Sequence, residues 1–187
     1  SLLNFKFLPS DNTYEDAYKK TILLRDSLSL KLKTFEALVL EHSDDLATKN
    51  NGGVVGYTER GSLFREYEIA CFSADVGEIV GPIKTSAGYH IIKILDKKGE
   101  KINTQHLLKV VSPSDEDKRQ TVLSFQNIYE QANEDPLYIE NYILDNFSEA
   151  TTDFSGNYVD FFYEENLPLD ISKKIGSSNE SFLFSPF

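Results

Sequence analysis

Few side chains of this sequence are suited to chemistry near neutral pH: three histidines, His42, His90 and His106, and one cysteine, Cys71. His90 stands in TSAGYHIIKI, before an apolar run typical of a buried strand, and is either a catalytic imidazole or a structural histidine that bonds the neighbouring loop. The histidines are dispersed and the run HSDD lacks the spacing of a ligand set, so we predict no metal site. Cys71 lies on the apolar face of YEIACF, which favours a core position over a nucleophile.

The elements that must position His90 predict an α+β unit. Residues 2–8 indicate a strand, and apolar positions recur every three or four residues over 13–33, which is typical of a long amphipathic helix. Thr34 then caps a short helix over FEALVLEH, and LFREYEIACFS indicates a third helix. VGEIVGPI and GYHIIKIL indicate two strands, completing a unit of about 100 residues.

The second half of the chain repeats this order at an offset of about 100 residues. INTQHLLKVV indicates a strand, a helix follows a cap at Ser112 or Ser114, and YIENYILDNFS indicates another helix. We therefore predict two domains, residues 1–99 and 102–187. The second is incomplete, because the chain ends where the first half supplies its closing strand.

Charge and hydropathy limit the partners. The formal net charge is −11, and residues 103–187 hold 15 Asp and Glu against 5 Lys and Arg, which argues against a nucleic-acid partner. The acidic half is either a second unit with its own surface or a solvated face that keeps the protein soluble. No apolar run reaches the roughly 18 residues of a membrane span, so we expect no membrane insertion. The absence of any Met, even at position 1, suggests an excised piece of a longer protein.

The aromatic content of the second half allows a further hypothesis. Residues 103–187 hold 13 of the 23 Phe and Tyr residues. If several are exposed, they form an apolar surface suited to extended client segments. The alternative is that these rings pack against a part of the protein that this piece lacks.

Residues 35–94 resemble a parvulin-type peptidyl-prolyl isomerase domain. The resemblance rests on an ordered series: Ser-Asp, Gly-Gly, Arg-Gly, an aromatic residue in a short helix, Gly-Glu-Ile, Gly-Pro and Gly-Tyr-His-Ile-Ile. NTQHLL in the second half is similar to the family's opening strand. Tandem units of this kind resemble SurA-like chaperone-isomerases of the bacterial periplasm. The resemblance implies a small antiparallel sheet wrapped by helices in each of two tandem units.

The resemblance also implies roles for individual residues. The proline-binding pocket falls on Val55, Leu63 and Tyr67, with Tyr67 where the family usually has Phe. The alternative for all three is an ordinary core position.

The polar centre of the family falls on His90, Asp45 and Thr85, although Asp45 also fits an ordinary loop-capping carboxylate. The family's first histidine is replaced by Phe5, so we expect His90 to face Phe5 and catalysis to be weak. His106 matches the first histidine of the second unit, and its pairing with His90 across the two units is disfavoured.

The implied function is isomerisation of X-Pro bonds and binding of unfolded client proteins, outer-membrane proteins among them, in the periplasm and without a cofactor. The alternative is a non-catalytic chaperone or peptide-binding module that keeps the parvulin fold.

Overall fold

The computed structural model describes residues 7–135, 137–138 and 141–142. The elements are α1 (Asp11–Ser29), α2 (Phe35–His42), a 3-10 turn (Lys49–Asn51), β1 (Val54–Glu59), α3 (Arg65–Ser73), β2 (Ile79–Thr85), β3 (Gly88–Lys98), β4 (Lys101–Lys109) and α4 (Asp115–Glu134).

The first helix is shorter at its C-terminal end than its apolar spacing predicts. It begins after Ser10, whose side chain accepts from the N–H of Thr13, and ends at Ser29 rather than near residue 33. Lys31 has a φ of 54°, and the N–H of Leu32 donates back to the carbonyl of Ser27 at 3.0 Å. This left-handed cap ends the helix and leaves Leu32 71% exposed, although Leu32 continues the apolar stripe.

The second helix has the bounds that the sequence predicts. Thr34 lies in an extended conformation, and its side chain accepts from the N–H of Ala37 at 3.2 Å. This N-cap satisfies one of the free N–H groups at the start of α2. The residues after α2 form the loop that carries Asp45.

A four-stranded antiparallel sheet in the order β1-β4-β3-β2 forms the centre of this unit. The two central strands are joined by a tight hairpin, in which Lys98 pairs with Lys101 and Gly99 has a φ of +57°. Glycine suits this turn because it adopts positive φ without a Cβ penalty. The small antiparallel sheet with surrounding helices confirms the predicted fold class.

Each face of the sheet has its own apolar cluster, because successive residues of a strand point to opposite faces. One cluster joins α1 and α2 to the sheet and comprises Leu28, Phe35, Leu38, Val39, Ile91 and Leu107. The other joins α3 to the sheet and comprises Tyr67, Cys71, Ala74, Ile92, Ile94 and Ile102. Even-numbered residues of β3 and β4 therefore face α3, and His90 and His106 share that face.

The predicted boundary between two domains, at residues 99–102, falls in the hairpin that joins β3 and β4. The strand that was expected to open a second domain lies between β1 and β3 in the first sheet. The chain divides instead into one compact unit, Pro9–Ser114, and another composed of Ser1–Leu8 and Asp115–Phe187. A tight hairpin places β4 beside β3 at little cost in loop closure, which sequence periodicity does not reveal.

In the unit that contains Asp115–Phe187, the described part is mainly α4, the helix predicted after Ser114. Arg119 donates twice to Glu116 one turn earlier, at 2.8 and 2.7 Å. Of the strand predicted over residues 2–8, residues 7 and 8 are described and are not in a strand, and residues 2–6 lie outside the described residues. Most of the predicted helix YIENYILDNFS and nearly all the aromatic residues near the C-terminus also lie outside them. The tandem second domain therefore stays a prediction.

Candidate active site

Two histidines from adjacent central strands meet on the α3 face of the sheet. In the β3–β4 register, His90 lies opposite Leu108 and His106 lies opposite Ile92, so the two imidazoles are diagonal neighbours. Their Nδ1 atoms are 3.4 Å apart, and their rings stack at 26° with centroids 5.6 Å apart. The structure thus pairs two histidines that the sequence analysis assigned to different domains.

Each histidine has a further polar partner. The Nε2 atom of His90 lies 2.8 Å from the hydroxyl of Thr85, at the end of β2. The Nε2 atom of His106 lies 2.8 Å from Oδ2 of Asp45, in the loop after α2. Thr48 hydrogen-bonds the same carboxylate oxygen. His90, Asp45 and Thr85, the three predicted catalytic residues, therefore belong to one network with His106.

The donors and acceptors of this network allow one direction when both imidazoles are neutral. An ionised Asp45 can only accept, so His106 donates from Nε2 and presents a bare Nδ1. His90 must then donate from Nδ1, which leaves its Nε2 to accept the hydroxyl proton of Thr85. The Thr85 oxygen accepts in turn from the N–H of Ala87 at 3.1 Å. Every member is satisfied, so this buried polar chain fixes both ring orientations.

Burial keeps His90 uncharged, while hydrogen bonds keep Asp45 ionised. His90 is 2% exposed, and desolvation, followed by the proximity of His106, lowers the pKa of His90 to about 4. Burial raises the pKa of Asp45, but hydrogen bonds from Thr48 and His106 and from a backbone N–H outweigh it and lower that pKa below its ordinary value. At neutral pH the network contains a neutral His90 and an ionised Asp45.

An aromatic ring on α3 packs against both imidazoles. The ring of Tyr67 meets His90 edge-on at 88° and His106 at 70°, with centroid distances of 5.4 and 6.0 Å. Its hydroxyl lies 3.0 Å from the hydroxyl of Thr104. Burial raises the pKa of Tyr67, so this phenol stays protonated. The predicted pocket ring therefore supports the histidine pair and is itself 2% exposed.

The other two predicted pocket residues are half-buried. Leu63 packs against the α3 cluster, in the loop that leads into α3, and Val55 lies on β1, next to β4 in the sheet. Phe64 was not predicted; its ring lies 6.2 Å from that of His90 and is 43% exposed. Phe64 therefore places apolar surface beside the neutral His90 imidazole.

Thr48 and Thr104 were also missed, and strand alternation could have indicated one of them. Thr104 precedes His106 by two residues, so a strand with period two places both on the same face. Thr48 has no such signal, because its contact with Asp45 depends on the turn that follows α2.

The structure differs from the sequence expectation for the first histidine. His90 was expected to face Phe5, and His106 was assigned to another domain. His106 lies beside His90. Phe5 lies outside the described residues, so its position relative to His90 stays a prediction. Pairing of these two histidines, which the sequence argument disfavoured, is what the structure contains, because β4 occupies the central position next to β3.

Three further observations bear on the chemistry. Cys71 is buried as predicted, and desolvation raises the pKa of its thiol to about 12, so it is not a thiolate nucleophile at neutral pH. In the described ranges, no three His, Cys, Asp or Glu side chains come together as metal ligands. A search of the same ranges finds no helix of the length and apolarity that a membrane span requires.

The four-stranded antiparallel sheet, the surrounding helices and the histidine pair define a small α+β domain. The family model described as the PPIC-type PPIASE domain, or Rotamase, matches residues 2–96, about half of the chain, and the chain belongs to this family.

Curated relatives carry foldase and parvulin names. The foldase protein PrsA 2 of Bacillus cereus is 33% identical over 117 residues, covering 63% of this chain and 36% of the relative. The foldase protein PrsA of Caldanaerobacter subterraneus is 43% identical over 83 residues, covering 44% and 24%. A parvulin-like PPIase of Rickettsia prowazekii is 44% identical over 79 residues, covering 41% and 28%. The chain thus spans about a quarter to a third of the length of these relatives.

One solved structure is also similar. The peptidylprolyl isomerase PrsA from Bacillus anthracis has 22% sequence identity and a TM-score of 0.37, with coverage of 80% of this chain and 58% of that one.

Proposed function

We propose that this chain catalyses cis–trans isomerisation of X-Pro bonds in unfolded client polypeptides. The observation that carries the proposal is the satisfied chain from Thr85 through His90 and His106 to Asp45, next to the apolar side chains of Leu63 and Phe64. Membership of the PPIC-type family supports it.

The reaction requires a shaped site rather than a reactive group. Rotation about X-Pro is opposed by amide resonance, with a barrier of roughly 18–20 kcal/mol, and no covalent bond is made or broken. A catalyst has to favour the twisted amide, which has lost resonance, over the planar one. Each tenfold acceleration needs about 1.4 kcal/mol of such preference.

The proposed roles follow from the geometry. Leu63 and Val55 hold the proline ring in an apolar, water-poor setting, and Tyr67 supports the histidines from below. The network holds His90 and His106 in fixed orientations, and the lowered pKa of His90 keeps that imidazole neutral at neutral pH. Preorganised polar groups of this kind stabilise a changed charge distribution without rearranging during the reaction.

The strength of catalysis depends on which residue pairs with His90. Weak catalysis was expected because Phe5 takes the place of the first histidine. His106 beside His90 supplies the missing imidazole, so we infer that catalysis depends on His106 and does not depend on Phe5.

The test is an exchange measurement on an X-Pro peptide by NMR with catalytic amounts of the whole chain. We expect acceleration by the native chain and a loss of about tenfold or more in kcat/KM for His106→Ala, equivalent to about 1.4 kcal/mol. Phe5→His is the matched control and should leave the rate unchanged. A rate raised by Phe5→His together with an unaffected His106→Ala would overturn the inference.

A second candidate function is a binding module without catalysis. The observation that favours it is the burial of Tyr67, which leaves the predicted pocket ring little surface for a ligand, while Phe64 nearby and Leu46 next to Asp45 are exposed. No acceleration by the native chain, combined with suppressed aggregation of an unfolded client, would select this function.

The clients and the location are part of the same proposal. Foldase names among the relatives support unfolded polypeptides as clients. The resemblance to SurA-like proteins supports the periplasm as the location and outer-membrane proteins as a client group. Fractionation of the source cells and cross-linking to nascent outer-membrane proteins test these two points.

A further inference from the structure

The loop between β1 and α3 donates three backbone hydrogen bonds to one carboxylate. Both carboxylate oxygens of Glu68 accept from the N–H of Gly61, at 2.8 and 2.9 Å, and Oε1 also accepts from the N–H of Leu63 at 3.0 Å. Glu68 is 9% exposed. These N–H groups, that of Gly61 first, lower the pKa of Glu68, so the side chain is ionised at neutral pH.

Two backbone hydrogen bonds also hold this loop: the N–H of Ser62 donates to the carbonyl of Glu59 at 3.2 Å, and that of Arg60 donates to the carbonyl of Glu100 at 3.1 Å. Gly61 has a φ of +87°, and no neighbouring atom lies within 4 Å of the place where a Cβ would stand. Gly61 and Ser62 are exposed, and the N-cap residue Phe64 makes no side-chain cap hydrogen bond. The Glu68 carboxylate, in the first turns of α3, therefore acts as a cap by accepting hydrogen bonds from backbone N–H groups that precede the helix.

The position of this loop matters because of the side chain it carries. The backbone N–H of Leu63 donates directly to Glu68, and the Leu63 side chain packs against the cluster that includes Tyr67. Tyr67 precedes Glu68 on α3 and contacts both imidazoles. The helix α3 thus carries both Tyr67, which contacts the two histidines, and Glu68, which holds the loop that contains Leu63.

We propose that Glu68 is a positioning residue, which holds the backbone of Leu63 so that the leucine side chain contacts the proline-containing segment. The inference rests on the proposed function, because Leu63 has to contact the peptide. Glu68 itself touches no reacting atom and acts through the backbone N–H groups of Gly61 and Leu63.

A double-mutant cycle with Glu68→Gln and Leu63→Ala tests the proposal in the whole chain. We expect Glu68→Gln to raise KM for an X-Pro peptide by about tenfold, because an amide replaces a charged acceptor of three hydrogen bonds, and to lower kcat less. In the Leu63→Ala background the same change should alter kcat/KM by less than about twofold. Glu66→Gln, exposed in the same helical turn, is the matched control and should leave KM unchanged.

The stability readout separates positioning from a general structural role. Urea unfolding should show the same loss of stability for Glu68→Gln in both backgrounds, whereas its effect on KM should vanish with Leu63. Equal losses of kcat/KM in both backgrounds would overturn the proposal. If Glu68→Gln does not fold, Glu68→Asp keeps the charge but shortens the reach, and the same cycle is measured with it.

The proposed function can fail separately. If the native chain does not accelerate exchange, the cycle is measured as the dissociation constant of the same peptide by NMR titration. Coupling between the two positions there supports the positioning role without catalysis, and additive effects overturn it. A native chain that neither isomerises nor binds the peptide overturns both.

Discussion

Acidification should weaken folding, in part through His90. Its pKa is about 4 in the folded protein, against 6.5 for an ordinary histidine, because it is buried and lies beside His106. Between these two values the unfolded chain binds a proton at this site that the folded chain does not. The free energy of unfolding therefore falls as the pH drops from about 6.5 to about 4, and this contribution is fully present above pH 6.5.

The magnitude follows from the width of that interval. One proton taken up on unfolding corresponds to about 1.4 kcal/mol per pH unit, so His90 accounts for a loss on the order of 3 kcal/mol by pH 4. Thr85 and Tyr67, which also contact His90, do not titrate in this range. The pKa of Asp45 is lowered from its ordinary value of 3.8. Its contribution to the free energy of unfolding is therefore fully present above about pH 3.8 and is lost only as the pH falls below that value.

The assay is urea unfolding at pH 7, 6, 5 and 4.5, followed by tyrosine fluorescence, since the chain has no Trp. His90→Asn removes the titrating group and is the reference. The difference in unfolding free energy between native and variant should shrink by about 1.4 kcal/mol per pH unit below pH 6. Parallel pH dependence in both proteins, or a His90 NMR signal that titrates near 6.5, would refute the reasoning.

Two packing predictions concern the same face and its neighbouring loop. Gly53→Ala should lower the free energy of unfolding by about 3 kcal/mol and reduce activity, because Gly53 has a φ of +80° and an added methyl would overlap a backbone oxygen of β4. Gly61→Ala should lower it by only about 1 kcal/mol, because Gly61 has a φ of +87° but open space around it. Thermal unfolding measures both losses. Similar losses for the two glycine variants would contradict this. Tyr67→Phe should cost about 1–2 kcal/mol by leaving the Thr104 hydroxyl without its partner, and adding Thr104→Val should recover part of that loss. A double variant less stable than Tyr67→Phe would show that the hydroxyl pair is not the cause.

Local patterns in the sequence predicted much of the fold. Thr34 and the apolar spacing after it predicted α2 with its observed bounds, since capping and helical periodicity are local properties. The predicted end of α1, near residue 33, was wrong. The left-handed conformation at Lys31 ends the helix at Ser29, although the apolar spacing continues to Leu32. No sequence pattern distinguishes a stripe that ends in a cap from one that continues.

The candidate site was predicted in part. The family motif indicated His90, Asp45 and Thr85, and the structure brings the three into one network. It also indicated Tyr67, which proves to lie under the histidines rather than open to solvent. The polar contacts of Thr48 and Thr104 depend on how loops and strands meet, and short-range patterns carry little of that information.

The sequence by itself determined the class of fold and the chemical types at the site: apolar strands, capped helices, two histidines in strand-like segments and an aspartate in a turn. The tertiary structure decided which strand lies beside β3, and with it which residue pairs with His90. Two segments, residues 2–8 and β4, have the apolar alternation of a strand, and periodicity shows which face a side chain takes but not which neighbour a strand selects. That choice rests on the hairpin at Gly99 and on packing across the whole sheet, so His106 became the partner of His90.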